Sequence, residues 1–334
     1  MNTRTLALSA LVSLVATWVS SCSSDSSSGP TLGSTGGTGL QDGGDSSVGG
    51  SGATGGHAGK GGGGAGGAGA SSGNGGGGSG GSAGAGGAGG KGGKGGAGGS
   101  GGGGCPSCKT QEKCWNGQLC VAKHVSLPSP EGGTYNIDST EVTAAQYSAW
   151  IETHPPMTLM PAFCSSKAKY NAGTGQYAVV DIDWCDAYAY CAGVDKHLCG
   201  KIGGGTNAYA DYAKAGLSAW FNACSSDGAD AYPYGNTYDG QACDGSDKGM
   251  GAPVAVASCT GCQSTVSGYT GVFDLSGNVW EWEDSCNAST GDGDNCRLRG
   301  GAYNSADSLL RCDASFFSNR SGRGPNIGFR CCEP

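Results

Sequence analysis

The chain has 334 residues, 70 of them glycine and 18 cysteine, and only 14% are charged. Of those glycines, 42 lie between Gly29 and Gly104, which leaves one globular part of ordinary size from Cys105 to Pro334. The formal charge of -8 sits mostly in that part, with no Lys/Arg patch. A nucleic-acid partner, which needs such a patch to displace counterions from phosphates, is excluded.

Arg4 precedes an apolar stretch from Leu6 to Val19. It is too short to span a bilayer and reads as the hydrophobic region of a secretory signal over residues 1–21. The segment ends Val19-Ser20-Ser21-Cys22, which resembles a bacterial lipobox, a signal whose cysteine is acylated and becomes the first mature residue. Cys22 is therefore the expected lipidation site, and the expected first partner is a membrane reached through that lipid. Ser23 in place of Asp points to the outer membrane.

Residues 22–104 then form a tether. They have no strict Gly-X-Y period and almost no proline, which excludes collagen. Too few apolar side chains are present to offset the entropy of ordering, so the segment is expected to be disordered. About 80 flexible residues have a root-mean-square span of roughly 50 Å. No Gly-Lys pair is followed by Ser or Thr, so the glycines are not a phosphate loop.

Residues 105–125 carry Cys105, Cys108, Cys114 and Cys120 as a small module. Zinc would accept four such thiolates, but an exported, cysteine-dense chain favours two disulfides. The same compartment argues against a redox role for Cys259-x2-Cys262. With Cys22 set aside, 17 cysteines remain, so at least one is unpaired or paired between chains.

From residue 126 onward the pattern is α+β with much loop. Thr143 and Gln146 have the form of a capping box, and Tyr147, Trp150 and Ile151 recur at helical spacing until Pro155-Pro156. A second helix is expected from Asp183, with Trp184, Tyr188 and Cys191 on one face and Gly193 as a left-handed cap. Gln176–Asp181, Arg297–Ala302 and Ile327–Cys332 read as short strands. Loops this long need staples, from disulfides or metal ions.

Five blocks, in order, resemble the formylglycine-generating enzyme, or sulfatase-modifying factor, family. They are Ile137-Asp138-Ser139-Thr140-Glu141-Val142-Thr143; Ile182-Asp183-Trp184 with Lys196-His197-Leu198; Tyr232-Pro233-Tyr234-Gly235-Asn236; Phe273 to Trp282; and Leu298-Arg299-Gly300-Gly301 with Asn326 to Cys331. The resemblance implies the family's variant of the C-type-lectin fold over residues 126–334. It also implies disulfides Cys191–Cys331 and Cys224–Cys312, whereas spacing alone suggests Cys286–Cys296. A structural calcium ion is implied at the Gly-Asn-x-Trp-Glu-Trp turn, held by the carbonyls of Asp274, Gly277 and Val279 and the carboxylate of Glu281. Asp244 and Asp247 lie near the segment of the family's second calcium. Hard oxygen donors on a glycine-shaped turn suit calcium. The competing reading makes Glu281 a buried hydrogen-bond acceptor and Trp280 and Trp282 core anchors.

Family members that oxidise cysteine to formylglycine carry two copper-binding cysteines after Gly-Gly-Ser-Tyr. Here Ser305 holds the first position, and Leu309 or Leu310 the second. Copper(I) wants thiolates, so no copper is expected. Iron is not expected either, because His57, His124, His154 and His197 show no i,i+4 pair. Glu281, Glu283 and Asp284 read as solvated acids or calcium ligands, and no nucleophile elbow is present.

The sequence thus points to a lipid-anchored binding module for an unidentified extracytoplasmic protein or glycan. Its ligand face is expected within Asn304–Pro325, on Asn304, Phe316, Phe317, Asn319, Arg320 and Arg323, unless these residues pack beneath the last strand. One alternative is an oxidoreductase with relocated ligands, using Cys164, Cys185, Cys199 or Cys332. The other is a structural envelope protein.

Overall fold

The computed structural model describes Cys22, Cys105, residues 107–164 and residues 173–334. The signal and the Gly-rich tether lie outside the described residues. Among these residues no helix is long and apolar enough to cross a membrane.

Strands β1 (Glu112–Trp115) and β2 (Leu119–Ala122) form an antiparallel hairpin. Its turn uses Asn116 and Gly117, both at positive φ (50° and 68°), the backbone that a tight hairpin needs. Disulfides Cys105–Cys114 and Cys108–Cys120 clasp it, so its four cysteines are spent on covalent staples. Leu119 and Val121 enter the main core, which makes the module a continuation of the head.

The first sheet is β3 (His124–Pro128), β4 (Thr134–Asp138), β10 (Cys331–Glu333) and β5 (His197–Leu198), antiparallel in that spatial order. Helix α1 (Ala144–Ile151) starts at the expected capping box: Thr143 Oγ1 accepts from Gln146 N at 3.2 Å, and Gln146 Oε1 accepts from Thr143 N at 3.0 Å. Tyr147 then stacks on Tyr190 of α2 (Trp184–Gly193) and Trp150 meets the same ring edge-on, with ring centroids 5.6 and 5.2 Å apart. Asp183 caps α2 by accepting from Asp186 N.

Gly193 is not a left-handed cap. It is the last helical residue, and a Cβ there would lie 2.5 Å from Trp150 Nε1. Glycine is needed because the two helices approach closely at that point. The left-handed residue is Asp195, at φ 60°.

Gln176–Asp181 is not a strand either. Tyr177 bridges to Ala255 and Ala178 to Thr143, two partners on different segments, so no ladder extends. The loop-rich middle contributes one short helix, α3 (Ala219–Ser225), capped by Ser218.

The second sheet is built on β6 (Trp280–Cys286), flanked by antiparallel β7 (Asn295–Arg299) and parallel β9 (Ile327–Phe329). A short helix, α4 (Asp307–Leu310), follows β7, and β8 (Phe316–Asn319) pairs with β7 at the sheet edge. The strand expected at Arg297–Ala302 ends at Arg299 because Gly300 and Gly301 adopt φ 84° and 75°. The run expected at Ile327–Cys332 divides into β9 and β10 at Arg330, whose guanidinium is fully buried.

Disulfides replace regular structure elsewhere. Cys191–Cys331 and Cys224–Cys312 are the pairs the family resemblance implies, and Cys286–Cys296 clips β6 to β7. Cys243–Cys262 staples the middle loops. Cys164–Cys185 and Cys199–Cys332 consume all four cysteines considered as reactive thiols. The last pair joins Cys22 to Cys259, and no cysteine is free. A lipidated Cys22 would leave Cys259 as the odd cysteine of the head, since one sulfur cannot hold both a thioether and a disulfide.

Candidate functional site

Strand β6 reads Trp-Glu-Trp-Glu, and strand geometry sends alternate side chains to opposite faces. Trp280 and Trp282 enter the aromatic core with Tyr147, Tyr190 and Phe329. The two glutamates enter a second interior region. Glu281 accepts from Arg330 Nε and Nη2, both at 2.7 Å, and from Trp220 Nε1 at 2.9 Å. Glu283 accepts from Ser218 Oγ at 2.7 Å and faces Arg299 across 3.6 Å. Both carboxylates and both guanidiniums are at most 1% exposed. Asp284 is 6% exposed, so none of the three acids is solvated.

Further acids crowd the same region. Burial, then the charge of Asp274, pushes the Glu141 carboxyl well above its ordinary range. Burial first, then the charges of Glu281 and Asp244, drives Asp274 up to about 7 against the hydrogen bond from Ala257 N and the charge of Arg330. Asp244 is pushed up to about 6 by burial, and neither of its carboxylate oxygens has a hydrogen-bond partner.

The Asp274–Val279 turn is shaped by three positive φ values, at Asp274 (61°), Gly277 (80°) and Asn278 (58°). Only glycine fits at 277, where a Cβ would lie 2.1 Å from the Asp244 carbonyl oxygen. Among the described residues the carbonyls of Asp274, Gly277 and Val279 accept no hydrogen bond. These three fit a calcium ion in need of oxygen donors. Glu281 fits less fully, because Arg330 and Trp220 already occupy three of its roughly four lone-pair sites.

The expected ligand face divides. Asn304, Phe316, Phe317 and Asn319 are exposed, the two phenylalanines by 41% and 49%. Phe316 stacks on Trp280 at 4.6 Å. Arg320 is 1% exposed, its Nη1 bonded to Asp294 and the Gly291 carbonyl and its Nη2 to the Ala288 carbonyl. Arg323 is half-buried and bridges Asp183 and Asp186, at 2.6 Å to each. The arginines serve the scaffold because internal carboxylates claim them, while edge strand β8 carries the exposed aromatics.

A separate cavity of about 220 Å³ opens beside β8, bounded by Phe163, Trp184, Tyr188, Thr206, Asp284 and Arg320. The sequence reading assigns no such pocket, because its walls come from five distant segments. The only local signal is the i,i+4 aromatic pair Trp184 and Tyr188, which stacks at 5.1 Å.

The family model described as a sulfatase-modifying factor enzyme 1-like domain matches residues 123–333. The chain belongs to this FGE-sulfatase family. No curated protein matches it. Among solved structures it is similar to CarF, with 18% identity, 64% of this chain and 98% of that one covered, and a TM-score of 0.44. It is also similar to Treponema denticola variable protein 1 (17% identity, 68% and 99% covered, TM-score 0.41) and to PvdO from Pseudomonas aeruginosa (16%, 64% and 94%, TM-score 0.42).

At the position of the family's cysteine pair, Ser305 Oγ accepts from Ala302 N at 3.0 Å. Leu310 is buried, and its Cδ atoms would meet a Cβ added at Gly245 or Gly301. This place is packed with hydrocarbon, and its hydroxyls are engaged with backbone, Ser305 Oγ with Ala302 N and Ser276 Oγ with the Leu310 carbonyl.

Proposed function

We propose that the chain is an exported, membrane-tethered lipoprotein whose FGE-sulfatase-type head is a non-catalytic binding module for an extracytoplasmic protein or glycan. The observation that carries this is the filled cysteine-pair position. Ser305 is spent on the Ala302 amide, Leu310 packs against two glycines, and every cysteine of the head but Cys259 is paired with another of the head. A soft metal would find no thiolate there. The binding face is the β8 edge with Phe316 and Phe317, flanked by Asn304 and Asn319. The two rings, one on each side of the edge strand, give it an exposed apolar rim.

Calcium belongs to this reading as a structural ion. The carbonyls of Asp274, Gly277 and Val279 would hold it with Glu281, and it would offset the excess of buried carboxylates over guanidiniums. Lipidation fits the cysteine parity: with the Cys22 sulfur in a thioether, Cys259 becomes the odd cysteine of the head.

The test is thiol mapping of the full chain from an oxidising envelope, by alkylation without reduction, digestion and mass spectrometry, with and without copper(I). The expected result is a diacylglycerol-modified Cys22, Cys259 as the single thiol, sixteen paired cysteines, and no effect of copper. Two or more thiols that copper shields from alkylation would make the protein an oxidase with a displaced site. An unmodified Cys22 bonded to Cys259 would remove the lipid anchor and leave the binding reading standing.

A further inference from the structure

Another cavity, an open groove of about 460 Å³, lies where three elements end together: β1 at Trp115, α1 at Ile151 and α2 at Gly193. Each chain turns away through a left-handed residue, Asn116 (φ 50°), His154 (φ 55°) and Asp195 (φ 60°), residue types that tolerate this backbone. The diverging chains leave the space between them open. Trp115, Pro155 and Leu159 give the groove apolar walls, and Asp195 gives it an exposed carboxylate. Trp115 is partly exposed, and no ring or guanidinium stacks on it among the described residues. Its Nε1 donates to Asp195 Oδ2 at 3.1 Å, which leaves most of the carboxylate's acceptor capacity unused.

Charge selects the occupant. The carbonyl end of a helix carries partial negative charge and is stabilised by lysine or arginine. Neither α1 nor α2 has a basic residue in its last turn, and each is followed by an acid instead, Glu152 and Asp195. Lys196 comes next in the chain, but its ammonium turns inward to Asp138. No Lys, Arg or His forms an ion pair with Glu152 or Asp195 among the described residues. His154, the other titratable side chain on the groove, has its Nδ1 against the Glu152 carbonyl at 2.8 Å. The whole head has the same sign, with 24 acids against 15 bases from Cys105 to Pro334. A cation from outside would relieve this imbalance, and the apolar walls ask for a hydrocarbon stem behind it. A lysine side chain has both. Arginine suits the groove less, because a bidentate guanidinium needs both carboxylate oxygens and Oδ2 already holds the Trp115 indole.

We infer that this groove is a docking site for a lysine side chain presented by a basic segment of an exported partner protein. This deepens the binding-module reading and rests on it, choosing protein over glycan and giving the head a contact separate from the β8 edge. Asp195 meets the ammonium, Trp115, Pro155 and Leu159 cover the stem, and the carbonyl ends of α1 and α2 add their field. The hairpin clasped by Cys105–Cys114 and Cys108–Cys120 holds Trp115 in place beside the end of α2.

Heteronuclear NMR on the full chain, read at the Trp115 indole N–H, tests this with an acetylated and amidated Gly-Lys-Gly peptide and its norleucine, arginine and glutamate counterparts. The lysine peptide is expected to shift that resonance saturably and to bind most tightly, and the norleucine and glutamate peptides to leave it unmoved. Asp195→Asn, which keeps a residue suited to φ 60°, should weaken lysine binding by about fivefold, the scale of an exposed ion pair. Thr153→Lys, at an exposed position, puts an ammonium of the chain's own into the groove and should weaken it at least as much. Glu131→Gln, which removes an equal charge from an exposed turn, should have no effect. Equal binding of the norleucine peptide would overturn the inference. So would tighter binding of the arginine peptide, a loss in Glu131→Gln equal to that in Asp195→Asn, or no shift with any peptide. Lysine-peptide binding that ignores Asp195→Asn and Thr153→Lys but disappears in Phe317→Ser would also overturn it, placing the contact on the β8 edge. Each of these failures leaves the binding-module reading intact, because thiol mapping with copper(I) decides that reading separately.

Discussion

The two faces of strand β6 solve the same problem by opposite means. On one side Trp280 and Trp282 bury hydrocarbon against aromatic rings from α1, α2 and β9. On the other, Glu281 and Glu283 are neutralised by Arg330 and Arg299 in an interior of equal dryness. The aromatic side is non-directional and tolerates exchange of similar shapes. The charged side is worth little over a hydrophobic replacement of the whole cluster, yet losing one partner strands the other's charge. The faces should therefore differ sharply in their response to single substitutions.

Arg330→Met breaks the charged face most severely. It leaves Glu281 with only the Trp220 indole and orphans the Asp138 and Phe273 carbonyls that the guanidinium also serves. The expected loss is about 3–5 kcal/mol, the usual cost of breaking a buried pair. Trp282→Phe on the aromatic face is expected to cost roughly 1–3 kcal/mol, since it removes part of a ring and one hydrogen bond to the Ile182 carbonyl. Urea denaturation of both variants checks the order. Equal losses would mean that the charged cluster is not the more brittle half.

Calcium sharpens the same contrast, because only the acidic side offers it donors. At about one hundred times its dissociation constant, an ion bound to the native state alone stabilises by about 2.7 kcal/mol. Melting in millimolar calcium against a chelator should show a gain of that order, abolished by Glu281→Gln and retained in Trp282→Phe. A melting temperature indifferent to both calcium and chelator would remove the ion from the reading.

The aromatic side was also the legible one. Tyr147 and Trp150 recur at helical spacing, Thr143 and Gln146 announce the start of α1, and Asp183 announces α2, because each signal is local. The charged side was not. The Trp-Glu-Trp-Glu alternation is a strand signature in plain view, but two glutamates suggest solvent unless their arginines are known to arrive from 16 (Glu283–Arg299) and 49 (Glu281–Arg330) residues away. The cavity by β8 is further out of reach, since Phe163, Thr206 and Arg320 meet only through the tertiary fold. Gly193 teaches the converse: a glycine ending a helix looked like a backbone need and was a packing need.

Asp186 gives the smallest test, and it asks whether the aromatic side is as free of electrostatic cost as its packing suggests. Its carboxylate is buried within α2, bridged by Arg323 to Asp183. Burial, then the charge of Asp183, pushes its pKa from 3.8 up to about 7, with Arg323 only partly opposing. A carboxyl raised on folding binds its proton more tightly in the native state. Its contribution is therefore complete below about pH 4 and is lost as pH rises through about 7. The wild-type protein should lose on the order of 1–2 kcal/mol from this group across that window, after allowance for the shared Arg323. Asp186→Asn carries no such proton, so its stability relative to wild type should improve between pH 5 and pH 8. Chemical denaturation at the two pH values reads this directly. A difference that stays constant would mean that Arg323 holds Asp186 ionised throughout, and that the aromatic side contains a fully compensated ion pair of the same kind as the acidic side.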